Sequence, residues 1–110
     1  MPLSLNNKKI IISAGASGIG WSTAKICLSR GAYVYLCDIN NKSLNKIKKN
    51  SQYNKKLFAY ECDASDENDV SNFFNQVNKK TKKIDALMGF IIIFALITFA
   101  RFTSLTKAST

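Results

Sequence analysis

A chain of 110 residues has room for one domain with a real core and is too short to divide into two. Apolar residues make up 46% and charged residues 21%, the balance of a folded globular chain rather than a disordered one. Histidine is absent, which excludes Ser-His-Asp and Cys-His nucleophile chemistry and any His-ligated metal within these residues.

Sixteen Lys/Arg against seven Asp/Glu give a formal charge of +9, which points first to nucleic acid or a membrane surface. The detail argues otherwise. Only Arg30 and Arg101 are arginine, and the lysines mostly sit beside asparagines, as in Asn45-Lys46, Lys49-Asn50, Asn54-Lys55 and Asn78-Lys79. No aromatic residues alternate with them as stacking platforms would require. The expectation is a solvated Lys/Asn-rich surface with no nucleic-acid partner. Cys27, Cys37 and Cys62 form no CxxC pair and lie inside apolar runs. The opening Met1-Pro2-Leu3-Ser4-Leu5-Asn6-Asn7 lacks the basic start and apolar stretch of a secretion signal. A reduced, cytoplasmic chain is expected.

Residues 9–14 (KIIISA) form a nearly continuous apolar run ending at glycines, the pattern of a strand buried on both faces. From Gly18 the period becomes helical, with Ile19, Thr23, Ile26, Cys27 and Arg30 at helical spacing and Gly31 as the stop. Residues 32–37 (AYVYLC) read as a second strand that ends at Asp38. A weaker helix over 41–52 has only Leu44 and Ile47 as apolar contacts. Residues 57–62 (LFAYEC) read as a third strand, ending at Asp63. Ser65 is the expected N-cap of the next helix, with Asp66 and Glu67 in its first turn and Lys79 and Lys80 in its last. Val70, Phe73, Phe74 and Val77 follow the i, i+3, i+4, i+7 spacing of a core-facing stripe. A fourth strand begins at Ile84. The βαβαβαβ order predicts an α/β fold, a partial Rossmann-like parallel sheet with right-handed crossovers and helices on both faces.

Beyond residue 87 the character of the chain changes. Asparagine, common up to Asn78, disappears, and no acidic residue follows Asp85. Residues 86–100 (ALMGFIIIFALITFA) are 15 uncharged positions between Asp85 and Arg101. A spanning helix needs roughly 17 to 25 apolar residues, so the run is short for a membrane and long for one strand. A buried strand continuing into an apolar helix is expected, with a membrane-attached protein anchored by this segment as the alternative. The chain thus divides into residues 1–87, the α/β unit, and 88–110, an apolar tail with a polar end.

Ser13-Ala14-Gly15-Ala16-Ser17-Gly18-Ile19-Gly20 lies where the first strand hands over to the first helix. Glycines there permit a tight turn, let a pyrophosphate approach the backbone, and let helix and strand pack closely. The free N–H groups and dipole of the helix start make an anion site. Asp38 ends the second strand, 38 − 20 = 18 residues past the last loop glycine, close to the ~20 expected of an acid that accepts the ribose hydroxyls of NAD. Its charge would repel the 2′-phosphate of NADP, and no Arg or Lys lies in the loop to offset that. Asp63 belongs to the same rim of strand ends, although as a single residue it reads equally well as part of the next helix's cap.

These residues resemble the short-chain dehydrogenases/reductases. Ser13 to Gly20 is similar to that family's TGxxxGIG loop, Asp38 to its NAD-selecting acid, and Asp63-Ala64 to its Asp-Val pair against the adenine. Lys83-Ile84-Asp85-Ala86-Leu87 is similar to the lead-in to its fourth strand. The resemblance spans residues 7–87 and implies cofactor contacts at Ser13, Ser17, Gly18, Ile19, Gly20, Asp38, Asp63 and Ala64, with NAD preferred to NADP. It implies no metal. Ala14 stands where the loop's first glycine is expected, which implies weakened binding. The Asn-Asn-Ala-Gly segment of the family is replaced by Met88-Gly89-Phe90-Ile91. Its catalytic Tyr-x-x-x-Lys is missing too, since Tyr33, Tyr35, Tyr53 and Tyr60 are followed four residues on by Cys37, Ile39, Leu57 and Ala64. The resemblance therefore implies an oxidoreductase's cofactor-binding half with no catalytic residues, on a substrate the sequence does not identify. A truncation or lost reading frame at the fourth strand is the expected origin, and self-association through the exposed sheet edge the expected consequence.

Overall fold

The computed structural model describes residues 4–14, 16, 18–49, 53 and 55–89. Four parallel strands and three helices alternate: β1 (Lys9–Ser13), α1 (Gly18–Ser29), β2 (Tyr33–Asp38), α2 (Asn41–Lys48), β3 (Leu57–Glu61), α3 (Glu67–Lys80) and β4 (Ala86–Met88). The sheet order is β3-β2-β1-β4. The chain steps outward from β1 to β3, then crosses back to lay β4 on the other side of β1. That reversal sits beside the C-terminal end of β1.

The two inner strands explain the apolar runs. β1 pairs with both β2 and β4, so Ile10, Ile11 and Ile12 are buried whichever face they point to. β2 is enclosed in the same way, and the run from Val34 to Cys37 is buried throughout. Strand alternation divides these residues into two cores. Ile10, Ile12, Val34 and Leu36 meet Ala24, Cys27 and Leu28 of α1 and Leu44 and Ile47 of α2 on one face. Ile11, Tyr35 and Cys37 meet Val70, Phe73 and Val77 of α3 on the other, with Cys62 among them. Helices therefore cover both faces of the sheet. Tyr35 and Phe58 stack on the α3 side with centroids 5.0 Å apart, and Phe73 meets Tyr60 edge-on.

Three local expectations change. Helix α1 does not bury the face marked by Ile19 and Ile26, which are 87% and 52% exposed. It packs through Ala24, Cys27 and Leu28, because the small Ala24 lets the helix sit close on the sheet. The cap of α3 is Asp66 rather than Ser65: the Asp66 side chain accepts the N–H groups of Asn68 and Asp69, at 2.9 and 3.2 Å. Ser65 is occupied elsewhere, giving both its N–H and its hydroxyl to Asp63. Strand β4 starts at Ala86, not Ile84, because the Asp85 N–H donates to the Lys9 carbonyl while the Asp85 carboxylate accepts the Lys9 N–H. Of the apolar run over 86–100, Ala86–Met88 form β4, and the expected helix beyond lies outside the described residues. Among the described residues no helix is long and apolar enough to cross a membrane.

The stop of α1 is as expected. Gly31 has a φ of +96°, and the Gly31 and Ala32 N–H groups donate to the carbonyls of Leu28 and Cys27. This is the paired hydrogen bonding of a Schellman cap. A Cβ at Gly31 would run into Asn6. The left-handed backbone alone disfavours a side chain by roughly 1–2 kcal/mol, so Gly31→Ala should lower the unfolding free energy in urea by at least about that much.

The clasp between β1 and β4 has a pH signature. The Lys9 N–H holds the Asp85 carboxyl below its ordinary value of 3.8, with Lys83 and Lys8 adding to the effect. A carboxyl lowered in the folded state contributes stability that is whole above its ordinary value and is lost as pH falls through the lowered one. Asp85→Asn should accordingly flatten the acid limb of a stability-versus-pH curve below about pH 4, measured by urea midpoints.

Candidate functional site

The C-terminal ends of the strands bring Ser13, Asp38, Asp63 and Met88 to one rim. From Ser13 the chain turns sharply into α1. Ser13 is buried and its hydroxyl donates to the Met88 carbonyl at 3.4 Å. Ala14 follows with a φ of +53°, in the left-handed region. Ala16 points its methyl into the core under α1 and α2. Gly18 opens the helix at φ +58°, and a Cβ there would meet nothing within 4 Å, so this glycine serves the backbone path and leaves open space at the helix start. Ile19, on the first turn of α1, is almost fully exposed, and Gly20 beside it is half-buried. No acidic residue lies in that first turn, and the acid shown beside the helix start is Asp38, from the tip of β2. Gly15 and Ser17 lie outside the described residues.

Asp38 points at this turn. Its Oδ2 accepts the Ala16 N–H at 3.1 Å and its Oδ1 accepts the Asn40 N–H at 2.9 Å. The half-buried carboxylate thus ties the tip of β2 to the loop after β1, while each oxygen keeps further lone pairs for a ligand. One consequence differs from the simple picture of a turn with bare amides: the Ala16 N–H is already taken by Asp38.

Asp63 and Ala64 are on the same rim, one strand further out, joined to β2 by the Cys62 N–H donating to the Asp38 carbonyl at 3.1 Å. The Asp63 carboxylate is engaged locally. It accepts the Ser65 hydroxyl at 2.6 Å and the Ser65 N–H at 2.9 Å, and these bonds hold its carboxyl below the ordinary value. Asp63 therefore shapes the loop into α3, and it does not reach Asp38 or the glycine turn through any hydrogen bond among the described residues.

Two residues at the rim carried no clear signal in the sequence. Gly89, just past β4, has a φ of +101°, and a Cβ there would strike the Ser13 hydroxyl. A single glycine after a strand gives no notice of such a contact. Cys37 lies directly beneath the turn, where burial pushes its thiol far above the ordinary range, and nothing in an apolar run separates such a thiol from a packing residue.

The architecture defines the class, a Rossmann-like α/β protein. Residues 13–109 match the family profile described as enoyl-(acyl carrier protein) reductase. The chain is 34% identical over 89 residues to the uncharacterized oxidoreductase YxbG of Bacillus subtilis. It is also 34% identical, over 85 residues, to short-chain dehydrogenase reductase 5 of Arabidopsis thaliana. Each of these alignments covers 77% of this chain and 32% of the relative. Hydroxysteroid dehydrogenase from Escherichia coli superposes with a TM-score of 0.69 at 30% identity, over 76% of this chain and 36% of that one. A short-chain dehydrogenase/reductase from Burkholderia phymatum, solved in complex with NAD, superposes with a TM-score of 0.70 over 77% of this chain and 31% of that one; at 19% identity the likeness is one of fold. This chain belongs to the short-chain dehydrogenase/reductase family of oxidoreductases, and it spans about a third of the length of the curated relatives it matches.

The departure at Ala14 has a measurable side. Left-handed backbone disfavours alanine relative to glycine, so Ala14→Gly should raise the unfolding free energy by about 1 kcal/mol, read from urea denaturation.

Proposed function

We propose that this chain binds a nicotinamide dinucleotide across the C-terminal rim of its sheet, with NAD preferred to NADP. The observation that carries the reading is the Asp38 carboxylate, which stands at the tip of β2 and faces the glycine turn through the Ala16 N–H. A carboxylate in that place accepts hydrogen bonds from both ribose hydroxyls and repels a 2′-phosphate. The turn carries no Arg or Lys to reverse that preference. Support also comes from the start of α1, whose first turn carries no acid, and from the open space at Gly18, which together suit a diphosphate.

In this reading Ser13, Ser17, Gly18, Ile19 and Gly20 form the diphosphate turn and Asp38 holds the adenosine ribose. Asp63 and Ala64 edge the adenine side of the rim. A nicotinamide dinucleotide, when bound, supplies hydride transfer. The residues of this chain bind and orient the cofactor and do no more, because no Tyr-x-x-x-Lys pair exists to exchange the substrate proton. We therefore assign cofactor binding without turnover by this chain alone, the substrate being set by residues it does not carry. Three buried free thiols suit a reducing compartment such as the cytoplasm.

Titration of the purified chain with NADH, followed by nicotinamide fluorescence, should give a saturable change. Its absence up to millimolar cofactor rejects the reading. Asp38→Ala removes charged hydrogen bonds to the ribose and should weaken NADH on the order of tenfold, with a smaller loss or none for NADPH. Equal losses for the two cofactors would remove the ribose role.

A further inference from the structure

The basic residues gather at the end of the sheet opposite the rim. All four strands are parallel, so they start at one level, and α1, α2 and α3 run back down to it. Lysine pairs lead into three of the strands: Lys8-Lys9 into β1, Lys55-Lys56 into β3 and Lys82-Lys83 towards β4. Arg30 precedes β2. Helices α2 and α3 add Lys46 and Lys48, and Lys79 and Lys80, in their last turns. Packing draws several of these cations together. Lys9 and Lys56 place their Nζ atoms 4.2 and 5.1 Å from the centre of the Tyr33 ring, and Lys56 donates to the Gly31 carbonyl at 3.2 Å. The acids lie at the other end. Asp38 and Glu61 close β2 and β3, and Asp63, Asp66, Glu67 and Asp69 lie in the loop into α3 or in its first turn. Of the seven acids only Asp85 stands among the lysines, where it accepts the Lys9 N–H and meets the Lys83 Nζ at 3.5 Å. The formal charge of +9 is therefore concentrated at one pole.

Charge and shape together choose the partner. The last-turn lysines suit the negative ends of the helix dipoles. The pairs ahead of β1, β3 and β4 lie outside the helices, so the dipole does not account for them, and gathering like charges works against the fold. Lys8, Lys55, Lys82 and Lys83 are exposed. The order β3-β2-β1-β4 spreads these pairs across the whole sheet, three inter-strand steps or roughly 15 Å, and the helix ends widen the patch on both faces. The result is a two-dimensional field of charge rather than a groove that tracks one phosphate strand. It is built from lysine, a compact point charge, with Arg30 the one arginine among the described residues. A layer of lipid headgroups calls for charge without fixed geometry, and clusters of about four to eight basic residues suffice to recognise it. Single-stranded nucleic acid, by contrast, is met by grooves with stacking rings.

We propose that the lysine pole is a docking surface for an anionic lipid bilayer. The chain meets the headgroups by charge alone, with the strand starts towards the lipid and the rim of Asp38 and the glycine turn facing solution. The inference is independent of the cofactor reading, because the two surfaces occupy opposite ends of the sheet.

Co-sedimentation of the full chain with vesicles tests it. Phosphatidylcholine vesicles containing roughly 30% phosphatidylserine should bind the chain at about 0.1 M salt and release most of it at about 0.5 M, as screening requires. Vesicles of phosphatidylcholine alone should bind it about tenfold less or weaker still. No binding to the anionic vesicles overturns the proposal. Equal binding to both kinds, or binding that survives the higher salt, would mean insertion of apolar residues and overturns it as well. Duplex DNA added at the same phosphate concentration as the lipid should leave most of the chain on the vesicles; complete displacement assigns the pole to nucleic acid and overturns the lipid reading. These arms use the unsubstituted chain and decide the matter whether or not a variant folds. Lys55→Gln combined with Lys82→Gln, at exposed positions outside the helices, should weaken vesicle binding by about tenfold. Lys25→Gln combined with Lys42→Gln removes the same charge from the middle of α1 and the first turn of α2, and should weaken binding by less than about threefold. Equal losses from the two pairs would make net charge the cause and remove the role of the pole.

Discussion

The bond from the Ala16 N–H to the Asp38 carboxylate, 3.1 Å long, joins parts of the chain 22 residues apart. It sets the path of the loop between β1 and α1 and keeps a negative group beside a helix start that has no acid of its own. Without it the rim is a row of strand ends. With it, the open space at Gly18 and the Asp38 carboxylate stand at one rim of the sheet. The same carboxylate also accepts the Asn40 N–H, so the loop into α2 is fixed by the same group. The sheet beneath makes this possible. β1 and β2 are enclosed on both sides and both faces, and their tips cannot shift independently.

Much of the fold was legible in the sequence because parallel inner strands leave a strong trace. Ile10 to Ile12 and Val34 to Cys37 are apolar without alternation, and this happens when both faces are covered. The stripe Val70, Phe73 and Val77 was equally clear, since a long amphipathic helix on one face has a single solution. Helix α1 misled for a physical reason. Its exposed isoleucines, Ile19 and Ile26, outweigh by size the small residues that seat it on the sheet, and hydrophobic spacing registers bulk rather than closeness of approach. The Ser65 cap failed for a similar reason. Several adjacent polar residues can cap a helix, and only the loop geometry chooses Asp66.

Of the site, Asp38 and the turn were readable from spacing, because a strand, a glycine loop, a helix, a second strand and an acid must occur in that order. The inward half was hidden. Cys37 looks like any core residue, and only the strand register places it beside Ser13 at the rim. Gly89 was hidden too, since only the three-dimensional proximity of Ser13 explains it. The four-stranded unit lies in a match that covers about one third of the relatives' length.

Ala14 carries a consequence for how the molecule is assembled. A glycine at that position would let the loop sample its final shape as soon as β1 and α1 meet. Alanine disfavours that shape, so a neighbouring group such as the Asp38 carboxylate on Ala16 is needed to hold the loop. The final shape of the loop after β1 therefore depends on the second strand, which brings the Asp38 carboxylate to Ala16. A chain lacking that strand would lack the group that holds this loop, however intact the loop's own residues were.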